Sequence, residues 1–121
     1  MNRNFIINKM KALIIVDTQN DFCEGGSLEV KGSNMIFPFI NELVRDEEFE
    51  KIFVTEDWHP KAHLSFASNH NRQPYDAIND SNGEVQILWP KHCVQYSKGA
   101  ELSPLLDLSG KKYIEVRKGH I

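Results

Sequence analysis

Within the segment "TEDWHPKAHLSF", residues 55 to 66, stand Asp57, His59 and His63, three side chains whose oxygen and nitrogen atoms are common ligands of zinc, iron and manganese. Asp57 and His59 are two residues apart, so in an extended segment both project to the same side and can share one ion. His59 and His63 have the i, i+4 spacing of a helical metal pair. No Glu follows His59, however, and Pro60 pushes His59 out of the helical region, which excludes the helical zinc-protease motif and predicts a loop site. A further candidate ligand is His92 in "LWPKHCVQ", between Pro90 and Cys93. Three protein ligands with open positions suit a catalytic divalent ion, zinc first, with iron or manganese compatible with the mixed donors.

Two more candidates close apolar runs. Asp17 ends "KALIIVD" and Lys118 ends "YIEVRK". By strand alternation Asp17 follows Leu13 and Ile15, and Lys118 follows Ile114 and Val116. In an open parallel sheet, ligands bind in the crevice beyond the carboxyl ends of the strands, which is where Asp17, Asp57 and Lys118 are expected to meet.

The elements that must position these residues can be read from apolar periodicity. "KALIIVD" is a continuous apolar run and predicts a buried parallel strand; "KIFVT" predicts a second strand and "KKYIEVRKG" a third. Between the first two, "NMIFPFINELVRDEEF" places Ile36, Phe39, Ile40, Leu43 and Val44 at helical spacing, with Ser33 or Asn34 as N-cap and Pro38 near the start. Residues 67 to 87 are polar, with "NHNRQP" and "NDSNGE", and predict an extended loop with about a turn of helix. Strand, helix, strand, loop, strand indicates an α/β fold with a mostly parallel, Rossmann-like sheet.

Composition narrows the partners. The chain has 121 residues, 40% hydrophobic and 26% charged, with a net charge of -3, which suits a single globular domain at most and gives no electrostatic reason to bind nucleic acid or anionic lipid. No apolar stretch approaches the roughly 20 residues of a membrane-spanning helix, and the start lacks a secretory cleavage pattern, so a cytoplasmic location is expected. Met10 is the expected natural start. Cys23 and Cys93 are too few for a disulfide framework and show no CxxC spacing.

"ALIIVDTQNDFCEGGSLEV", "TEDWHPKAHLSFASNH", "ILWPKHCVQYSKGAELSPLL" and "VRKG" resemble, in order and over about residues 11 to 119, successive landmarks of the nicotinamidases in the isochorismatase-like hydrolase superfamily. The resemblance implies a three-layer, doubly wound α/β fold and hydrolysis of nicotinamide, or a similar pyridine carboxamide, to the acid and ammonia in NAD salvage. It implies that Asp17 is the catalytic aspartate and Lys118 the catalytic lysine. It also implies that Asp57, His59 and His92 hold a divalent metal, with His63 a further ligand in some members, and that Phe22 and Trp89 sandwich the pyridine ring.

In such an enzyme a cysteine thiolate attacks the carboxamide carbon, ammonia leaves, and water cleaves the thioester. The resemblance places that cysteine on a later strand-to-helix turn, whereas no cysteine follows Lys118 here. Residues 1 to 121 are therefore expected to form an incomplete isochorismatase-like domain, truncated after its third strand and inactive alone, prone to self-association or needing a missing C-terminal half. The alternatives are a non-catalytic metal- or pyridine-binding remnant and another isochorismatase-like amidohydrolase.

Overall fold

The computed structural model describes residues 9 to 121, and the expectation that Met10 is the natural start concerns preceding residues that lie largely outside this range. Three parallel strands form the sheet: β1 (Lys11–Val16), β2 (Phe49–Asp57) and β5 (Ile114–Lys118), in the order β1-β2-β5. A single α-helix among the described residues, α1 (Phe37–Arg45), links β1 to β2. A two-stranded antiparallel hairpin, β3 (Ala77–Asn79) and β4 (Val85–Ile87), lies apart from the sheet.

Register explains how the sheet is covered. Leu13 pairs with Ile52 and Ile15 with Val54, so these side chains share a face. Against that face pack Val44 and Ile40 of α1 together with Leu102, Leu106 and Leu108, and the resulting core centres on Ile15, Val44, Ile52 and Val54. The opposite face carries Ile14, Val16, Phe53, Thr55, Ile114 and Val116. Its strand positions are open: Ile14 is 61% exposed, Val16 62%, Ile114 47% and Val116 42%. The continuous burial expected of the first run thus holds on one face only, because the described residues supply one covering layer.

The helix starts differently from its sequence signals. A 3-10 turn over Ser33–Ile36 leads straight into it, Ile36 is the N-cap, and no side chain caps it. Pro38 sits in the first turn, where its missing N–H costs nothing. At the other end Arg45 donates to the Ser109 and Asp107 carbonyls and pairs with the Asp107 carboxylate at 3.0 Å, tying α1 to the segment that completes the core.

The polar stretch contains more order than its composition suggests. After a 3-10 turn at Ala67–His70 comes the β3–β4 hairpin. Asp80 organises its turn: Oδ1 accepts from the Asn82 and Glu84 N–H groups and Oδ2 from Gln86 Nε2, while Gly83 takes the left-handed conformation at φ 81°. Strands of three residues are too short for alternation to be visible in sequence.

Candidate metal and catalytic site

β2 delivers Asp57 as its last residue, and the chain then turns away. The His59 N–H donates to the Cys93 carbonyl and the His59 carbonyl accepts from the Gln95 N–H, which seats the loop bearing His59 beside the loop bearing His92. Both rings are buried, at 7% and 5% exposed. Asp57 Oδ2 lies 3.5 Å from His59 Nε2 and 3.8 Å from His92 Nε2. One donor atom from each of the three residues falls within 4.8 Å of the others.

Hydrogen bonds to carbonyl oxygens set the tautomers. His59 Nδ1 lies 2.7 Å from the Gly119 carbonyl and His92 Nδ1 lies 2.7 Å from the Pro90 carbonyl. A carbonyl only accepts, so Nδ1 carries a proton in each ring and Nε2, facing Asp57, is the atom left to bind a metal. This arrangement of a histidine held from behind by a carbonyl is that of metal-ligating histidines, and a carboxylate with two imidazoles suits a divalent ion.

His63 is placed differently. Its ring centroid lies 4.2 Å from that of His59, but it is not one of the three residues whose donor atoms converge. Its Nδ1 accepts from the Ser65 N–H at 3.2 Å, which leaves the proton on Nε2, and that atom donates to the Ile121 oxygen at 3.1 Å. Burial, then the neighbouring His59, pull its pKa down and keep it neutral.

Asp17 and Lys118 adjoin this cluster. Lys118 Nζ bridges two carboxylates, 2.8 Å from Asp17 Oδ2 and 2.6 Å from Asp57 Oδ1. Partial burial opposes the lysine's charge, but the hydrogen bonds and charges of Asp17 and Asp57 outweigh it and raise its pKa. Strand alternation assigns Asp17 to the face of Leu13 and Ile15. In the structure Asp17 has φ 52°, in the left-handed region, so alternation stops there. Its carboxylate accepts from Thr55 Oγ1 at 2.7 Å, on the side of Lys118. That conformation suits Asp better than most residues.

Phe22, Trp89, Leu28 and Ser65 join Asp57, His59, His63 and His92 around an open cavity of about 320 Å³. Phe22 reaches it from a 3-10 turn (Asn20–Phe22) after β1, and its ring centroid lies 5.7 Å from that of His92. Trp89 is 38% exposed and meets Tyr75 edge to face. Phe66, fully buried, packs under the rings of His59, His63 and His92. Phe66, Gln19 and Asp21 escaped the sequence reading. Only their adjacency to the singled-out residues, in "TQNDF" and "HLSF", could have found them.

The two cysteines stand elsewhere. Cys93 is fully buried in a left-handed conformation at φ 49°. Burial, followed by the negative charges of Asp21, Asp57 and Asp17, pushes its thiol pKa far up. Cys23 is also buried, raised first by desolvation, and its thiol donates to the Gln19 carbonyl. Neither has the electropositive, accessible surroundings of a reactive thiolate.

The sheet whose strand ends gather an Asp–Lys pair beside an Asp–His–His cluster has the fold of the isochorismatase-like class. The chain is similar in sequence and fold to nicotinamidases. It is 51% identical over 109 residues to a nicotinamidase of Acinetobacter baylyi, a match that covers 89% of this chain and 49% of that protein. The yeast nicotinamidase bound to the inhibitor nicotinaldehyde superposes with a TM-score of 0.81 at 37% identity, covering 93% of this chain and 58% of that one. The pyrazinamidase of Pyrococcus horikoshii in complex with zinc gives 0.68 at 36% identity, covering 91% and 52%. No family model matches the chain. The chain spans about half the length of the curated relatives it matches.

Proposed function

We propose that these residues are the metal-binding and proton-handling part of an amidohydrolase that converts nicotinamide and water to nicotinate and ammonia, a step of NAD salvage. The observation that carries this reading is the Lys118 bridge, which joins Asp17 to Asp57 and so couples a candidate acid–base pair to the Asp57–His59–His92 cluster. Support for the substrate class comes from the relatives, one of which is solved with nicotinaldehyde. Support for zinc comes from the donor set and from the zinc-bound pyrazinamidase.

Asp57, His59 and His92 would hold the ion, with His63 as a further donor once its Nε2 gives up its proton and the Ile121 oxygen, and the bound metal would supply an anchor for the pyridine nitrogen. Phe22 and Trp89 flank the cavity and would confine the ring between them. Orientation of this kind is worth several kcal/mol of barrier. Asp17 would take the proton of the attacking thiol and hand it to the departing ammonia, while Lys118 stabilises the thiolate that results.

The nucleophile is assigned to the portion of the relatives that this chain does not span, since Cys23 and Cys93 are buried, with raised thiol pKa values. The described residues then form part of one isochorismatase-like domain, and the open sheet face of Ile14, Val16, Ile114 and Val116 is where self-association or the rest of the domain would cover it. No helix among the described residues is long and apolar enough to cross a membrane. Two free thiols suit the reducing cytoplasm.

Ammonia release from nicotinamide tests the assignment. The 121-residue chain should give none above background. Turnover should appear when the remaining half of a nicotinamidase relative is joined to it, and vanish again with Asp17→Ala or Lys118→Ala. Turnover by the chain alone that Cys93→Ala abolishes would overturn the placement of the nucleophile. Nicotinamide binding that stays without turnover even in the joined protein would favour a non-catalytic pyridine-binding role.

A further inference from the structure

The pairing of β1 with β2 ends at Val16 and Thr55, where Asp17 turns left-handed after one last bond from its N–H to the Thr55 carbonyl. Asp57 lies two residues further on, still paired with Lys118 of β5 but beyond the reach of β1. What holds it on the β1 side is the side chain of Gln19, which is fully buried. Gln19 Oε1 accepts from the Asp57 N–H at 2.8 Å, and Gln19 Nε2 donates to the Asp57 carbonyl at 2.7 Å and to the Ala100 carbonyl at 2.9 Å. The carboxamide thus satisfies both backbone groups of Asp57, as a neighbouring strand would.

Two residues on, Asp21 anchors the other ligand segment through one backbone N–H. Its Oδ2 accepts from the Cys93 N–H at 2.8 Å, immediately after His92, and so holds the left-handed turn at Cys93. Gly99 lies so close to the Asp21 carboxylate that any Cβ there would collide with it. Asn20 between them bonds the Lys98 carbonyl at 2.8 Å through Nδ2 and the Glu101 carbonyl at 2.9 Å through its N–H. One short turn therefore fastens the Asp57 segment to the loop that carries His92.

We propose that Gln19 and Asp21 are positioning residues of the metal centre: they fix the separation of Asp57 and His92 and thereby its affinity for a divalent ion. This rests on the metal reading of the Asp57–His59–His92 cluster. A carboxamide serves here where a second carboxylate would not, since it supplies one acceptor and two donors to three backbone groups without adding charge beside Asp57 and Asp17. The expected scale is that of outer-shell partners of metal ligands, whose removal weakens affinity by about 10–100-fold.

The test uses the 121-residue chain, with zinc affinity measured by competition against a chromophoric chelator and ligand geometry by the visible spectrum of the cobalt(II) form. Gln19→Leu, Gln19→Glu and Asp21→Ala should each weaken zinc binding by about 10-fold or more and alter the cobalt spectrum. Asn41→Ala removes bonds to the Leu105 carbonyl and the Asp107 N–H far from the cluster, and should leave both unchanged. In the unmodified chain, zinc titration should shift the Gln19 side-chain amide and Asp57 backbone amide resonances together, a readout that needs no variant to fold. Folded Gln19 and Asp21 variants with unaltered affinity and spectrum, or a Gln19 amide unmoved by zinc, would overturn the positioning role. An unmodified chain that binds no zinc would instead overturn the metal reading and this inference with it.

Discussion

Gly119→Ala should dismantle the metal site from behind. Gly119 has φ 76° and its carbonyl accepts from His59 Nδ1, so the residue both requires the left-handed conformation and sets the His59 tautomer. A Cβ at this position would stand 2.5 Å from His59 Cε1 and 2.8 Å from Nδ1, against an optimal carbon–carbon separation of about 3.5–4.0 Å. The ring cannot simply retreat, because it is 7% exposed and enclosed by Phe66, His63 and His92. Two costs follow: about 1–2 kcal/mol for an L side chain in the left-handed region, and about 1 kcal/mol for the lost bond to Gly119. Only the second, with the displaced ring, reaches the metal. Gly110 separates them, since it has φ 71° and nothing within 4 Å of where its Cβ would stand. Gly110→Ala should lower stability by about 1–2 kcal/mol and leave zinc affinity intact. Gly119→Ala should weaken zinc by about 10–100-fold, or about 1.4–2.8 kcal/mol, in competitive titration. Zinc affinity within twofold of the parent in folded Gly119→Ala would refute the claim that this carbonyl and its clearance hold His59 in register.

Three further outcomes are expected. Cys23 and Cys93 should resist iodoacetamide at pH 8 in the native chain and react on denaturation, and rapid native labelling of Cys93 would reopen its candidacy as nucleophile. The Lys118 bridge should follow the sign of a raised lysine pKa: its stabilisation is full below the ordinary value of 10.5 and fades as pH rises through the higher folded value. The stability difference between the parent and Lys118→Met in denaturant titrations should therefore stay constant from pH 7 to about 10 and shrink above it, and a decline already between pH 7 and 9 would contradict the bridge. Light scattering should show self-association of the chain, reduced by Ile14→Glu with Val116→Lys on the open sheet face, whereas a monomeric parent would show that face to be tolerated in water.

Residue types and spacing alone determined the three strands of the parallel sheet, the intervening helix, and the short list of groups able to bind a metal or move a proton. Short apolar runs report burial through transfer free energy, which is a local property of each side chain. The resemblance of the four motifs to the nicotinamidases was likewise legible, since it lives in residue order. Tertiary structure decided what alternation could not. Asp17 reaches the side of Lys118 because its left-handed backbone breaks the period-2 rule, and His59 and His92 present Nε2 because carbonyls of Gly119 and Pro90, remote or reversed in the chain, claim Nδ1. His63 carries the same imidazole but the opposite tautomer, set by the Ser65 N–H. Gln19 and Asp21 read as ordinary turn residues until the fold brings Asp57, Ala100 and Cys93 to them across 38 to 81 positions of sequence. A hydrogen bond depends on where both partners stand, and a sequence specifies only one neighbourhood at a time.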